Sequence, residues 1–278
     1  MNMNKEISNK LTDYARENDA IDTIFYVLND NYDSIIHAYT LVNDVIIGKL
    51  EEELVGLFDN LMMVNRSKGE FSINKTYINY TNLNIYTDDN LKLTESIISS
   101  EYADDFIKTI DGDIKILYSK PGFYSFDIES KFVFDKPKEY EVISTIKNFF
   151  ASAYEVSLYI DQKDQLAACM KMDSLRNYLI AMINFYIKDK YSYKLDMGDD
   201  GQRLHNTLEV DIKESLLQTY HHDDLMDIYY SLFKATVLFR KLAMEICKKF
   251  DFVYPKEIDV ETHKVLRKNY KKLESFLN

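Results

Sequence analysis

The chain has 278 residues and carries 46 acidic side chains against 34 Lys and Arg, a net charge of −12. Its length suits one large domain or two modest ones, and its acidity excludes nonspecific nucleic-acid binding, which needs clustered positive charge to displace counterions. Seven Gly and three Pro are too few for a Gly-rich phosphate cradle, a collagen-like repeat or a long disordered arm.

The polar N-terminal stretch MNMNKEISNKLTDYAREN lacks the apolar segment of a signal peptide, and AMINFYIKDKY is cut by charges well short of a membrane span. Residues 3–18 read as a helix, with Ile7, Leu11 and Tyr14 at three-to-four spacing. From 20 to 134 the character changes. IDTIFYVL, DVIIGKL, LMMV, FSINKTYINYTNLNIYT, LKLTESII, IKILYS and KFVFD are short, β-rich and broken by Asn, Asp and Gly, with a helix expected at KLEEELVGLFDNL. DKPKEY, 135–140, marks a boundary, because the residue before proline disfavours helix while Pro137 can open one. Beyond it, segments beginning at Glu139, Asp164, Val210, Asp223 and Asp259 carry apolar residues at helical spacing. The expected organisation is an α+β chain: a mixed α/β domain over 1–135, then an all-α helical bundle over 136–278, with a cleft between them.

Several motifs fail on their chemistry. LDMGDDG, 195–201, resembles a calcium loop, yet Gly198 holds the third ligand position and Thr207 the twelfth, so the bidentate acid is missing and a turn is expected. In HHDD, 221–224, adjacent histidines do not aim at one centre, and Asp223 or Asp224 reads as a helix N-cap. Cys169 and Cys247 are isolated, which excludes a disulfide framework or a CxxC knuckle and suits a cytoplasmic protein. No G-x-S-x-G, P-loop or G-x-G-x-x-G occurs, and His37, His205 and His263 have no triad context. Arg240 and Glu245 interrupt the apolar face of the helix over 227–255, as a partly buried ion pair would.

That helix is informative as a string. LLQTY, DIYYSLF, LFR, a Glu five residues on, and VYP closely resemble the C-terminal domain of the aminoglycoside 6-adenylyltransferase (streptomycin adenylyltransferase) family. RNYLIAMINF, 176–185, is similar to the same family's Arg-x-x-Leu-x-x-Met-Ile-x-aromatic helix, and DKPKEYEVISTIKNFF to its Lys-Pro entry. The resemblance implies a nucleotidyltransferase N-terminal domain that transfers AMP from Mg-ATP to an aminoglycoside hydroxyl. In such a site a Gly-Ser turn admits the phosphates, and a D-x-D pair plus a third carboxylate from a neighbouring strand holds Mg²⁺.

At the family's spacing this chain departs from that pattern. The Gly-Ser-Arg turn falls on Leu28, Asn29 and Asp30, and the D-x-D pair on Val42 and Asp44, so that only Asp44 survives. The third carboxylate falls on Lys92, whose charge repels a cation. In the helical domain the family's lysine, arginine and glutamate fall on Tyr159, Lys163 and Gln165, and its loop lysine on Asp199, so the base position holds an amide. Asp164 joins Tyr159, Lys163 and Asp199 as a residue expected to line the cleft. The reading is a family member without transferase activity and without a metal site of its own, binding a small cationic molecule or a nucleotide as monomer or homodimer. The alternatives are an active enzyme, using Mg²⁺ and ATP at carboxylates such as Asp88, Asp89 or Asp164, and a structural or regulatory dimer without ligand.

Overall fold

The computed structural model describes residues 5–27, 34–43, 47–73, 75–110, 114–122, 136–191 and 207–277. Among them, those up to Gly122 form one compact unit and those from Lys136 onward a second.

The first unit is a six-stranded sheet with helices on both faces. In chain order it contains α1 (Lys5–Glu17), β1 (Ile21–Val27), β2 (Ile35–Val42), α2 (Ile47–Val55), β3 (Leu61–Ile73), β4 (Thr76–Thr87), β5 (Lys92–Ser99), α3 (Ala103–Ile107) and β6 (Ile114–Ser119). The strands lie in the order β3-β4-β5-β2-β1-β6, all neighbours antiparallel except β2 and β5. Parallel neighbours need a long crossover; here α2 and the β3–β4 hairpin provide it.

Side-chain alternation sets the two faces. Ile36, Ala38 and Val42 of β2 join Leu93 and Ile97 of β5 beneath Ile7, Leu11 and Ala15 of α1 and Leu50 and Leu54 of α2. Phe25, Leu41 and Ile98 face the other way, against Phe106 of α3 and Phe71 of β3.

Three expectations change here. The described part of DVIIGKL is not a strand: Ile47–Val55 is helix, burying Leu50 and Leu54 four residues apart, and a strand, β2, precedes it. The run FSINKTYINYTNLNIYT divides into two strands of a hairpin, turning where Lys75 adopts a left-handed φ of 69°. β3 also extends through the polar NRSKGE; as an edge strand it is largely exposed, so it lacks the alternation that would have marked it. KFVFD lies outside the described residues.

The second unit is helical: α4 (Glu139–Asp161), α5 (Gln165–Lys190), α6 (Val210–Leu217), α7 (Leu225–Phe250) and α8 (Lys256–Leu277). These follow the apolar periodicity closely. α4 packs against α5, α7 and α8, and α5 also packs on α7. At the centre the Phe149 and Phe239 rings stack with centroids 3.7 Å apart, and Phe150 meets both at steep angles. Asp224 caps α7, accepting the Asp227 N–H at 2.9 Å, so the HHDD stretch ends in an N-cap as expected. Among the described residues, no helix is long and apolar enough to cross a membrane.

Candidate functional site

In the α/β unit the decisive geometry is the parallel register of β2 and β5. Ile35 pairs with Lys92 at one end and Val42 with Ser99 at the other. Positions 35 and 42 are seven residues apart, about 23 Å at the rise of an extended strand. Val42 and Lys92, expected to flank one ion, therefore lie at opposite ends of adjacent strands. A D-x-D pair beside Lys92 would have to enter β2 near Ile35, not leave it at 42–44. The spacing argument failed because it was anchored on the apolar run after Asp44, which the fold makes a helix. Asp44 itself, with Leu28, Asn29 and Asp30, lies outside the described residues.

Each end of the strand pair has its own chemistry. At the Val42 end, Asp22 of β1 is buried and fully engaged. Its Oδ1 accepts from Asn43 Nδ2 at 3.0 Å and Lys120 Nζ at 3.1 Å, and its Oδ2 from Ser100 Oγ at 2.6 Å. These bonds tie β1 to the segments following β2, β5 and β6. Val42 is itself buried among apolar side chains.

At the other end, the Lys92 backbone N–H donates to the Ser34 carbonyl at 2.8 Å, and its side chain is half-buried. No carboxylate among the described residues forms an ion pair with it. Asp88 and Asp89 stand at the same end, in the turn between β4 and β5, where Asn90 has a left-handed φ of 67°. Asp89 accepts from the Thr87 hydroxyl, and the Asp88 N–H bonds the Asn60 carbonyl at 3.1 Å. An ammonium at the strand head does not fit a divalent cation.

In the helical unit, Tyr159, Lys163, Asp164 and Gln165 do come together, at the α4–α5 turn. Three of them hold that turn and its neighbours. Lys163 closes the turn with a φ of 60° and sets its Nζ 3.2 Å from the centroid of the Phe276 ring. Asp164 caps α5, accepting the Ala167 N–H at 3.0 Å. Gln165 Nε2 donates to the carbonyls of His222 at 3.2 Å and Asp223 at 3.0 Å, fastening the start of α5 to the approach of α7. A carboxylate at 165 has no proton to give those carbonyls, so the amide is the group the contact requires. Tyr159 is partly exposed. Asp199 and the LDMGDDG stretch lie outside the described residues.

The residues that make the sequence familiar prove to bond one another. Arg176, of RNYL, is buried; it donates to the Thr219 carbonyl at 2.7 Å, pairs with Asp173, and lies 4.4 Å from the centroid of the Tyr220 ring. Thr219 and Tyr220 end LLQTY. Arg240, of LFR, does not pair with Glu245 as a neighbour on its own helix. It forks onto Asp259 of α8, with Nε 2.7 Å from Oδ2 and Nη2 bonded to Oδ1. Tyr254, of VYP, donates to the same carboxylate at 3.0 Å, and His263 Nδ1 stands 2.8 Å from it. Neither cysteine is poised as a nucleophile: burial raises the Cys169 thiol and pushes Cys247 up to about 11.

In the α/β unit the sequence reading missed two buried carboxyl groups, Asp22 and Glu95. Both carried a signal, an acidic residue inside a strand-like apolar run (IDTIFYV and LKLTESII), which is costly unless the group is paired or neutral.

No curated protein matches the chain. Among solved structures, an aminoglycoside 6-adenyltransferase from Bacillus subtilis superposes with a TM-score of 0.50 at 19% identity, over 97% of this chain and 99% of that one, and so has the same fold. A nucleotidyltransferase-like protein from Exiguobacterium sibiricum is more distant, with a TM-score of 0.35 at 7% identity over 88% and 77% of the two chains. The family model for streptomycin adenylyltransferase matches residues 29–268, and with the bonded Arg176 and Arg240 motifs inside that span, the chain belongs to the streptomycin adenylyltransferase family.

Proposed function

We propose that this chain has kept the family's scaffold and lost its transfer chemistry, serving as a binder of a small cationic molecule or a nucleotide. The observation that carries this reading is Lys92 at the head of β5. Adenylyl transfer needs carboxylates to hold Mg²⁺ against the triphosphate, and a lysine there opposes the ion that the reaction requires. Mg-ATP therefore does not fit the residues described at that strand end. Gln165 adds support, since an amide donating to two carbonyls cannot serve as a general base. The acidity of the chain favours a polycation, whose approach a net charge of −12 assists.

The test is calorimetry and a transfer assay on the full chain. With Mg-ATP and streptomycin, neither Mg²⁺-dependent ATP binding at micromolar concentration nor AMP transfer is expected; either result overturns the reading. Streptomycin or spermidine in low salt should raise the melting temperature, and added salt should weaken the shift. An unchanged melting temperature with both polycations and nucleotides would favour a structural role.

One observation favours a second reading. Asp88 and Asp89 share the strand end with Lys92, so an active site rebuilt around that turn is the alternative. It requires metal binding that Asp89→Asn abolishes.

A further inference from the structure

Glu95 occupies the middle of β5, between two strands. Its register partners are Ala38 of β2 and Leu83 of β4, and the residues beside it on the same face are Leu93 and Ile97. The residue is fully buried in the apolar layer under α1 and α2. One carboxyl oxygen, Oε1, accepts from the Thr40 hydroxyl at 2.5 Å, and the other, Oε2, has no hydrogen-bond partner among the described residues.

No cation among the described residues forms an ion pair with it. The titratable group facing it from α1 is Tyr14, whose phenol donates to Glu53 of α2 at 2.8 Å and accepts from Asn18 at 3.0 Å. Glu53 in turn lies 3.5 Å from Lys49. β2 and β4 present Thr40, Ala38 and Leu83, none of which titrates. A carboxylate in such a place has one donor where the ionised form needs several, and no opposite charge.

We propose that Glu95 is a buried proton-bearing latch: the α/β unit is assembled around a neutral carboxyl at this position, and loss of its proton loosens β2 and β5. Burial raises its pKa to about 8, against the lowering effect of the Thr40 bond. A group whose folded pKa lies above its unfolded value binds more protons folded than unfolded between the two. Stability is therefore greatest below about pH 4.5 as far as this group is concerned, falls as pH rises towards 8, and stays reduced above it. The latch rests on no ligand and is independent of the proposed binding function.

The experiment uses the full chain and Glu95→Gln, measured by urea unfolding and by hydrogen exchange corrected for intrinsic base catalysis, from about pH 5 to about pH 9. The wild type should lose up to about tenfold in its folded-to-unfolded ratio per pH unit below 8, and Glu95→Gln should lose that slope. Protection should fall in β2 and β5 while α4, α5 and α7 hold theirs as the internal reference. Parallel pH profiles for the two proteins overturn the proposal. Should Glu95→Gln fail to fold, the wild type alone decides. The infrared band of a protonated carboxyl present at about pH 6 and gone by about pH 9 supports the latch, and no such band at about pH 6 refutes it.

Discussion

The two units preserve different things. In the helical unit the residues that identify the family, Arg176, Thr219, Arg240 and Tyr254, are still present and are spent on one another and on Asp259. In the α/β unit the scaffold persists through alternating apolar side chains, and the strand head proposed for the metal carries Lys92. The difference teaches that a strong family resemblance can be carried by bonds that hold helices together. Such bonds persist because removing one partner leaves a buried charge or carbonyl exposed to an apolar interior. A metal ligand has no such structural duty and can change without cost to folding.

The comparison is sharpened most by breaking the helical unit at its strongest joint. Arg240→Ala should cost about 3 kcal/mol, because the buried Asp259 is then left with only Tyr254 and His263 as partners. Arg240→Ala with Asp259→Asn should recover part of that loss. Urea denaturation of the three variants checks this. If Arg240→Ala costs under about 1 kcal/mol, the Arg240–Asp259 pair is not what holds α7 to α8.

The two strand ends offer the next test. Val42→Asp places a carboxylate in the apolar layer and should destabilise by about 3 kcal/mol or more without creating metal affinity. Lys92→Asp, at the half-buried strand head, should change stability by less than about 1 kcal/mol and increase affinity for Mg²⁺ or Mn²⁺. Calorimetry separates the two. Metal binding that depends on both substitutions together would contradict the register that sets them about 23 Å apart.

The smallest effect is expected at the α4–α5 turn. Gln165→Glu restores a carboxylate to the family's base position, yet sets it against the His222 and Asp223 carbonyls. It should destabilise by about 1–2 kcal/mol and yield no AMP transfer. A gain of transfer activity would overturn the proposed loss of transfer chemistry.

Much of this was legible in the sequence because it depends on short-range pattern. Apolar spacing at three and four residues marked α4, α5 and α7, and short β-rich runs marked β1, β5 and β6. The Arg, Tyr and Leu positions of the helical motifs sufficed to indicate the family. β2 was missed, and a strand set on DVIIGKL instead, for a short-range reason as well: Leu50 and Leu54 are apolar in either secondary structure, and only packing against the sheet selects helix. Register, by contrast, is a long-range property. That Ile35 meets Lys92 and Val42 meets Ser99 depends on how β5 returns beside β2 after a crossover of some fifty residues, and no local pattern encodes it. The same holds for Gln165, Arg240 and Glu95. Their residue types were plain, but whether each is a base, an ion pair or a neutral buried acid was decided by which distant carbonyl, carboxylate or apolar layer the fold brought to it.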